Sequence, residues 1–395
     1  MFEKAYIPYG GYYSSPFCRW QGSFSNQNSI VLGAETAKRW LVSKGWEPSI
    51  FDYTFFGITV GQHRWFFGGT WANAIIGAEI PAVNIMQACS TGTTCVYNAA
   101  QAIEQGQINT PMCLMVDRCS NGPHTVWPNP DGPGGEVTSE NWNLDNFNYD
   151  PATGQAMIRT AENVATMAGL TRQQADELAL RRYEQYLDSL KDGRAFQKRY
   201  MFPVEVKVSR KKSVVVEADE GIIPCTKEGL ANLKPVLEGG IHTFGSQTHP
   251  ADGNAVILVT TKDRAKSMSS DPAISIRVLS YGFSRAKKAY MPAAPVPAAK
   301  MALENAGIGI KDVSVIKTHN PFAANDLFFA KEYGIDLNSF NNYGSSLIFG
   351  HPQAPTVPRL IIEGIEEAVI RGGGYVLIAG CAAGDTAAAL VMKVQ

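Results

Sequence analysis

One short pattern occurs twice in this chain, once in each half. In the first half Cys89 is followed by a helical stretch, a continuous apolar run at 112–116, and then Cys119-Ser120-Asn121-Gly122. In the second, Gly350-His351-Pro352 is followed by a helical stretch through Leu360, Ile361, Ile365 and Val369, a run at 375–379, and then Cys381-Ala382-Ala383-Gly384. Each is a β-α-β arrangement with buried strands. Its duplication predicts an α/β fold of two similar mixed sheets with helices between and outside them. Ligands of such sheets sit at the carboxyl ends of the strands. Cys89, His319, His351 and Cys381 all fall at such ends, which predicts that they share one site.

Residues 83–106 carry the sharpest local signal. Val83 and Ile85 share one face of a short apolar run, Val96, Ala99, Ala100 and Ile103 share one face of a helix, and Gly106 stands at its left-handed C-cap. Cys89 therefore sits at a strand-to-helix elbow, where free N–H groups and the helix dipole favour thiolate. That is one way to present a nucleophile; a buried, inert cysteine is the alternative. A thiolate nucleophile needs a base in hydrogen-bond reach. His319, closing a strand over 313–318, and His351, in a Gly-Pro-bounded loop, are placed to supply it. Lone histidines are more often structural, but two at corresponding positions beside two cysteines point to a site. Cys381 can serve as a general acid/base. Backbone N–H groups at the elbow and in the Cys381 turn can hold an oxyanion. Other signatures fail. Gln87-Ala88-Cys89 has Thr91 where a caspase-type cysteine has Gly, the papain pattern is absent, and there is no GxxxxGK or strand-borne GxGxxG.

Elsewhere the pattern predicts a helix over 29–46, a strand over 51–60, and a long covering loop over 122–155 that carries Trp127 and Trp142. Two helices follow over 157–192, split at Gly169-Leu170-Thr171 with Thr171 as N-cap. A strand pair over 203–217, a helix over 230–237 as far as Pro235, a strand over 255–260 and a helix over 298–306 complete the reading. The aromatic cluster His63–Trp71 reads as core or interface, or as a wide acyl pocket. The 35 basic and 36 acidic residues give a net charge of −1, which speaks against nucleic acid and membrane surfaces as partners. Seven cysteines without a CxxC pair argue against a zinc ribbon and for free thiols in a reducing compartment. The chain shows no basic n-region with an apolar core and no run of 18 apolar residues, so a soluble, cytoplasmic protein is expected.

Taken in order, these residues resemble the thiolase superfamily over nearly the whole chain. Cys89-Ser90-Thr91-Gly92 is similar to its Cys-x-Ser-Gly, and 157–165 to its Met-x-x-Thr-Ala-Glu-Asn-Val-Ala. Asp219-Glu220 with Leu233-Lys234-Pro235-Val236 resembles its Asp-Glu…Leu-x-Pro-x-Phe, and 243–253 its Thr-Ala-Gly-Asn-Ser-Ser-x-x-x-Asp-Gly. His319-Asn320-Pro321-Phe322, Gly350-His351-Pro352 and Cys381-x-x-Gly complete the set. The resemblance implies a five-layered αβαβα fold with an inserted loop domain. It divides the chain into a first thiolase half at 1–120, the loop domain and return strands at 121–240, the end of the first half at 241–270, and the second half at 271–395. It also implies dimers or tetramers, with coenzyme A as co-substrate and no metal or redox cofactor.

Carried across, Cys89 attacks the 3-keto carbon of a 3-oxoacyl-CoA, His351 activates it, and Cys381 protonates the departing enolate. His319 holds the enolate oxygen, and the N–H groups of Cys89 and Ala383 hold that of the acyl step. Met157, Ser246, Gln247 and Phe322 face substrate or CoA. The pattern also departs from the family. Thr91, Ala383, Gln247 and Thr248 replace smaller or hydroxylated residues, and His351-Pro352-Gln353-Ala354-Pro355-Thr356-Val357 stiffens a loop of small residues. These departures resemble archaeal-type thiolases and the thiolase of anaerobic toluene degradation. The latter cleaves benzoylsuccinyl-CoA to benzoyl-CoA and succinyl-CoA, and such enzymes often pair with a small zinc-binding OB-fold protein. On that reading the aromatic cluster takes a benzoyl group and Arg19 or Arg64 meets a carboxylate. The alternatives are an acyltransferase working in the condensing direction and a non-catalytic acyl-CoA-binding subunit. A ketosynthase is disfavoured by Cys381.

Overall fold

The computed structural model describes residues 1–395. The first half contributes β1 (Tyr6–Ile7), β2 (Tyr12–Ser14), β3 (Cys18–Arg19), α1 (Ser29–Lys44), β4 (Tyr53–Gly57), α2 (Gly68–Ile76), β5 (Ala82–Ile85), α3 (Thr91–Glu104) and β6 (Pro111–Arg118). Then come β7 (His124–Pro128), β8 (Val137–Asn141), α4 (Trp142–Asn148), α5 (Met157–Ala168), α6 (Arg172–Arg194), β9 (Val204–Ser209), β10 (Lys212–Val216) and α7 (Lys227–Ala231). The remainder is β11 (Ala251–Leu258), α8 (Lys262–Met268), β12 (Ile276–Arg285), α9 (Pro295–Ala306), β13 (Val313–His319), α10 (Ala323–Tyr333), α11 (Ser346–Phe349), α12 (Thr356–Ile370), β14 (Gly374–Ala382) and β15 (Thr386–Val394).

Two mixed sheets form. One runs β2-β11-β6-β4-β5, with β3 also on β11; the other runs β1-β12-β15-β14-β13. The parallel pairs are β4 with β5 and β6, and β13 with β14. Strand periodicity sorts side chains into layers. On β6, Cys113 and Met115 enter the central core, while Met112, Leu114 and Val116 face α1 and α2. On β14, Val376 and Ile378 enter that same core, while Leu377 and Ala379 face α9 and its neighbours. Helices α3 and α12 lie between the sheets and fill the core with Val96, Ala99 and Ile103 from one and Leu360, Ile361 and Ile365 from the other. The result is the expected five-layered αβαβα architecture, with β-α-β units related as the sequence pattern implies. No helix is long and apolar enough to cross a membrane.

Three local expectations need correction. The 122–155 stretch holds the hairpin β7–β8 and the helix α4, capped by the Asn141 side chain on the Leu144 N–H. Its turn-forming residues are concentrated at 129–136, and they mask the strands on either side. The helix expected over 230–237 is α7, which starts earlier at its Thr226 cap and stops at Ala231. Pro235, lacking an N–H, cannot extend it. Strand β11 begins at Ala251, four residues before the expected start. Its polar residues are buried and partnered: Asp252 accepts from the Ser120 N–H, and the Asn254 side chain from the Tyr13 hydroxyl. Strand β5 forms where expected, at the sheet edge, and its Val83 is exposed.

Candidate active site

The turn between β5 and α3 is wound tightly. The Gln87 N–H donates to the Thr91 hydroxyl at 2.8 Å, and that hydroxyl donates to the Ala88 carbonyl at 2.7 Å. Ala88 is held at φ +44°, in the left-handed region that few non-glycine residues adopt. The turn aims Cys89 at the opposite half of the molecule, and the Ser90 hydroxyl fixes it there by donating to the Gly380 carbonyl at 3.2 Å. The Cys89 Sγ then lies 3.0 Å from His351 Nε2.

Both histidines are oriented from behind. His351 Nδ1 lies 2.6 Å from the Thr356 hydroxyl, which can take the ring N–H and leave Nε2 as the acceptor for the thiol. His319 closes β13 and packs on His351, with ring centroids 4.2 Å apart. Its Nδ1 lies 2.8 Å from the Ser346 hydroxyl, while its Nε2 is buried without a partner. The Ser346 hydroxyl has two acceptors in reach, His319 Nδ1 and, at 3.1 Å, Asn320 Oδ1, which also accepts from the Leu347 N–H. With the Ser346 hydroxyl turned to Nδ1, the ring proton sits on Nε2, where it can meet a developing oxyanion. Cys381, at the end of β14, is fully buried, and Asn325 on α10 donates to its sulfur at 3.2 Å. Cys89, His319 and His351 also form the one cluster of donor atoms, all within 4.8 Å of one another, that could hold a metal ion.

The electrostatics correct the expectation of a preformed thiolate. Burial pushes the Cys89 thiol up to about 12, outweighing the backbone N–H groups of Ala383 and Cys89 that favour the charged sulfur. Burial holds His319 down at about 3. Burial, with His319 beside it, holds His351 well below the usual histidine range. Burial also raises Cys381. The resting site is thus a neutral thiol facing a neutral imidazole. The two N–H groups that favour the charged sulfur are those of Cys89 and Ala383, the residues expected to form the oxyanion pair.

Two family models cover nearly the whole chain: "Thiolase, N-terminal domain" over residues 11–263 and "Thiolase, C-terminal domain" over 273–394. The chain belongs to the thiolase family of acyltransferases. Among its relatives, a probable acetyl-CoA acetyltransferase of Mycobacterium leprae is 28% identical over 384 residues, covering 96% of this chain and 97% of that protein. The crystal structure of the Bacillus anthracis acetyl-CoA acetyltransferase is 25% identical, with a TM-score of 0.91 over 100% of this chain and 99% of that one. Human mitochondrial 3-ketoacyl-CoA thiolase in complex with CoA, 24% identical, has the same fold, with a TM-score of 0.90 over 99% and 98% of the two chains.

In this thiolase a cavity of about 610 Å³ opens onto Cys89, His351 and Ala383. Met157, Gln247 and Phe322 line it as expected. Ser246 does not. It is fully buried, and its hydroxyl accepts from the Thr243 N–H at 2.9 Å, so it shapes the wall from behind. His319 and Cys381 likewise lie beneath the cavity surface. The 65–71 aromatic cluster does not form the pocket: Trp65, Phe66 and Phe67 are exposed, and only Trp65 approaches it, edge-on to Trp142 at 6.1 Å. Arg19 and Arg64 are not among the lining residues, which include no lysine or arginine. Instead Trp142 and Phe147 of α4 and Phe244 supply the aromatic walls. Three supporting residues escaped the sequence reading: Ser346, Thr356 and Asn325. Their signal was faint, a hydroxyl or amide a few residues from each histidine and next to Phe322. Gln353 escaped as well, because its loop reads as a change of shape rather than of chemistry.

Proposed function

We propose that this thiolase cleaves 3-oxoacyl-CoA esters with free coenzyme A through an acyl group carried on Cys89. The Cys89 Sγ to His351 Nε2 contact of 3.0 Å carries the reading. The proton passes from Cys89 to His351 as the sulfur attacks the 3-keto carbon. The bond between C2 and C3 breaks, leaving the acyl group on sulfur and an enolate thioester that takes a proton from Cys381. The Cys381 thiolate then accepts the proton of incoming CoA, whose sulfur displaces the acyl group and frees Cys89. His319 Nε2 serves the enolate oxygen, and the N–H groups of Cys89 and Ala383 serve the tetrahedral oxyanion. The names of the relatives and the CoA complex of the human enzyme support coenzyme A as co-substrate.

The cavity favours a bulky, uncharged acyl group. Its volume exceeds what an acetyl group needs, its walls are largely apolar, and Glu140 is its one acidic residue. An aromatic acyl group suits Trp142 and Phe147. A carboxylate on the substrate, as in benzoylsuccinyl-CoA, would find no cation there. We also take the working form to be a dimer joined at the β5 edge.

Incubation with a panel of 3-oxoacyl-CoA esters in the absence of free CoA tests the reading. Intact mass and peptide mapping should show an acyl adduct on Cys89, strongest for uncharged bulky chains and abolished in Cys89→Ser. Failure of every ester to label Cys89 would overturn the catalytic reading in favour of a non-catalytic acyl-CoA-binding subunit.

A further inference from the structure

Gln353 occupies the turn after His351-Pro352 with φ +54°, a conformation that a β-unbranched polar residue tolerates but does not prefer. The loop is pinned on both sides. The Ala354 N–H donates to Asp117 at 2.9 Å, and the Thr356 N–H donates to the Gln353 carbonyl at 3.1 Å. This holds the Gln353 side chain against the reacting atoms. Its Oε1 lies 3.4 Å from the Cys89 Sγ, in reach of the thiol whenever the thiol hydrogen is not directed at His351 Nε2. The residue is only 5% exposed, yet its Nε2 has no partner. A buried amide N–H₂ without a partner is costly, and a sulfur anion beside it would supply one.

We propose that Gln353 is a further catalytic residue, a carboxamide that accepts from the Cys89 thiol and donates Nε2–H to the Cys89 thiolate. The step balances within the site: the S–H bond breaks, His351 Nε2 takes the proton, and sulfur keeps the electron pair. Once the hydrogen has gone, Oε1 faces a sulfur anion and repels it. Rotation about the last side-chain torsion, which is soft, brings the unpartnered Nε2–H to the sulfur. A neutral donor is what a buried thiolate needs, because it stabilises the charge without introducing a competing one. The device compensates for a site whose burial works against ionising Cys89. It rests on Cys89 being the nucleophile but does not depend on the substrate.

The test measures the rate at which iodoacetamide alkylates Cys89, by peptide mapping at pH 8, in the wild type, Gln353→Met and Gln353→Glu. The half-buried Cys225 serves as an internal reference. Met keeps the volume but removes the donor, and should slow Cys89 about tenfold, which is about 1.4 kcal/mol of thiolate stabilisation. Glu keeps the shape and replaces the donor by an acceptor, and should be at least as slow as Met. Cys225 should not change. If Glu matches the wild type, only shape matters and the proposal falls; if both variants match it, the proposal falls as well. Should Met fail to fold, the Glu comparison decides alone. If wild-type Cys89 reacts no faster than the buried Cys113, the nucleophile reading itself is what fails.

Discussion

A thiol as deeply buried as Cys89 ionises only when something takes its proton. Its titration is pushed up to about 12, and that of His351 well down, both chiefly by burial. The thiolate fraction therefore grows with pH across the whole working range, and no preformed ion pair titrates near neutrality. Alkylation of free Cys89 should climb about tenfold per pH unit from pH 7 to pH 10. A plateau beginning near pH 6 would show a thiolate–imidazolium pair at rest. Ser346 belongs to the same scale. Its hydroxyl lies 2.8 Å from His319 Nδ1 and orients the ring, so Ser346→Ala should lower kcat by about tenfold or more while KM changes little. Losing an oxyanion donor outright costs about 10²–10³. An unaltered kcat would mean that the ring is positioned by packing alone. The meeting of Cys89, His319, His351 and Cys381 was legible because cysteine and histidine at strand ends have few structural reasons to be there. Ser346, Thr356 and Asn325 were not, since each acts through a hydrogen bond across a fold that the sequence does not display.

Among the elements, α12 does the most to join the halves. Its N-terminal turn follows His351, its apolar face fills the central core, and its buried Arg359 forks onto Asp219 at 2.7 and 2.8 Å while Glu363 accepts from its Nε. Asp219 also accepts from the Phe17 N–H and the Tyr186 hydroxyl. Removing one partner of such a pair leaves a buried charge unmatched, so Asp219→Ala should cost about 3–5 kcal/mol. Thermal and denaturant unfolding would register this directly, and a loss under 1 kcal/mol would mean that the guanidinium finds water. Helices α3 and α12 approach so closely at Gly92 that an added Cβ would lie 2.2 Å from Pro358. Both helices were legible in their apolar periodicity, as was the N-cap at Thr171, which the structure completes as a capping box with Gln174. Strands β7 and β8 were not, because their side chains are mostly exposed and no alternation marks them. The polar start of β11 was hidden by partners on β2 and after β6. Neither failure touched the architecture, which rests on the buried strands.

For the molecule as a whole, the open edge is β5. It pairs with β4 on one side only, and its outer side carries exposed Val83 and, just beyond, Met86. The N-terminus of α2 is tied to this strand through the Gly69 N–H and the Asn84 side chain at 2.9 Å, which brings exposed Phe66 and Phe67 alongside. An apolar strand edge of this kind invites pairing with another chain, and soluble proteins that keep one uncovered guard it with charge. None of Val83, Met86, Phe66 and Phe67 is charged. Two copies meeting edge to edge would bury all four and extend the sheet through both chains. Met86 also lines the active-site cavity, so the contact would close one wall of the site and couple assembly to turnover. Light scattering at micromolar concentration should therefore give twice the mass of one chain. Val83→Lys places a charge on the edge and should shift the protein to single chains, with a loss of activity that recovers as concentration rises. A wild-type protein that stays single at high micromolar concentration, with full activity, would show that the edge is left open and that the site is complete within one chain.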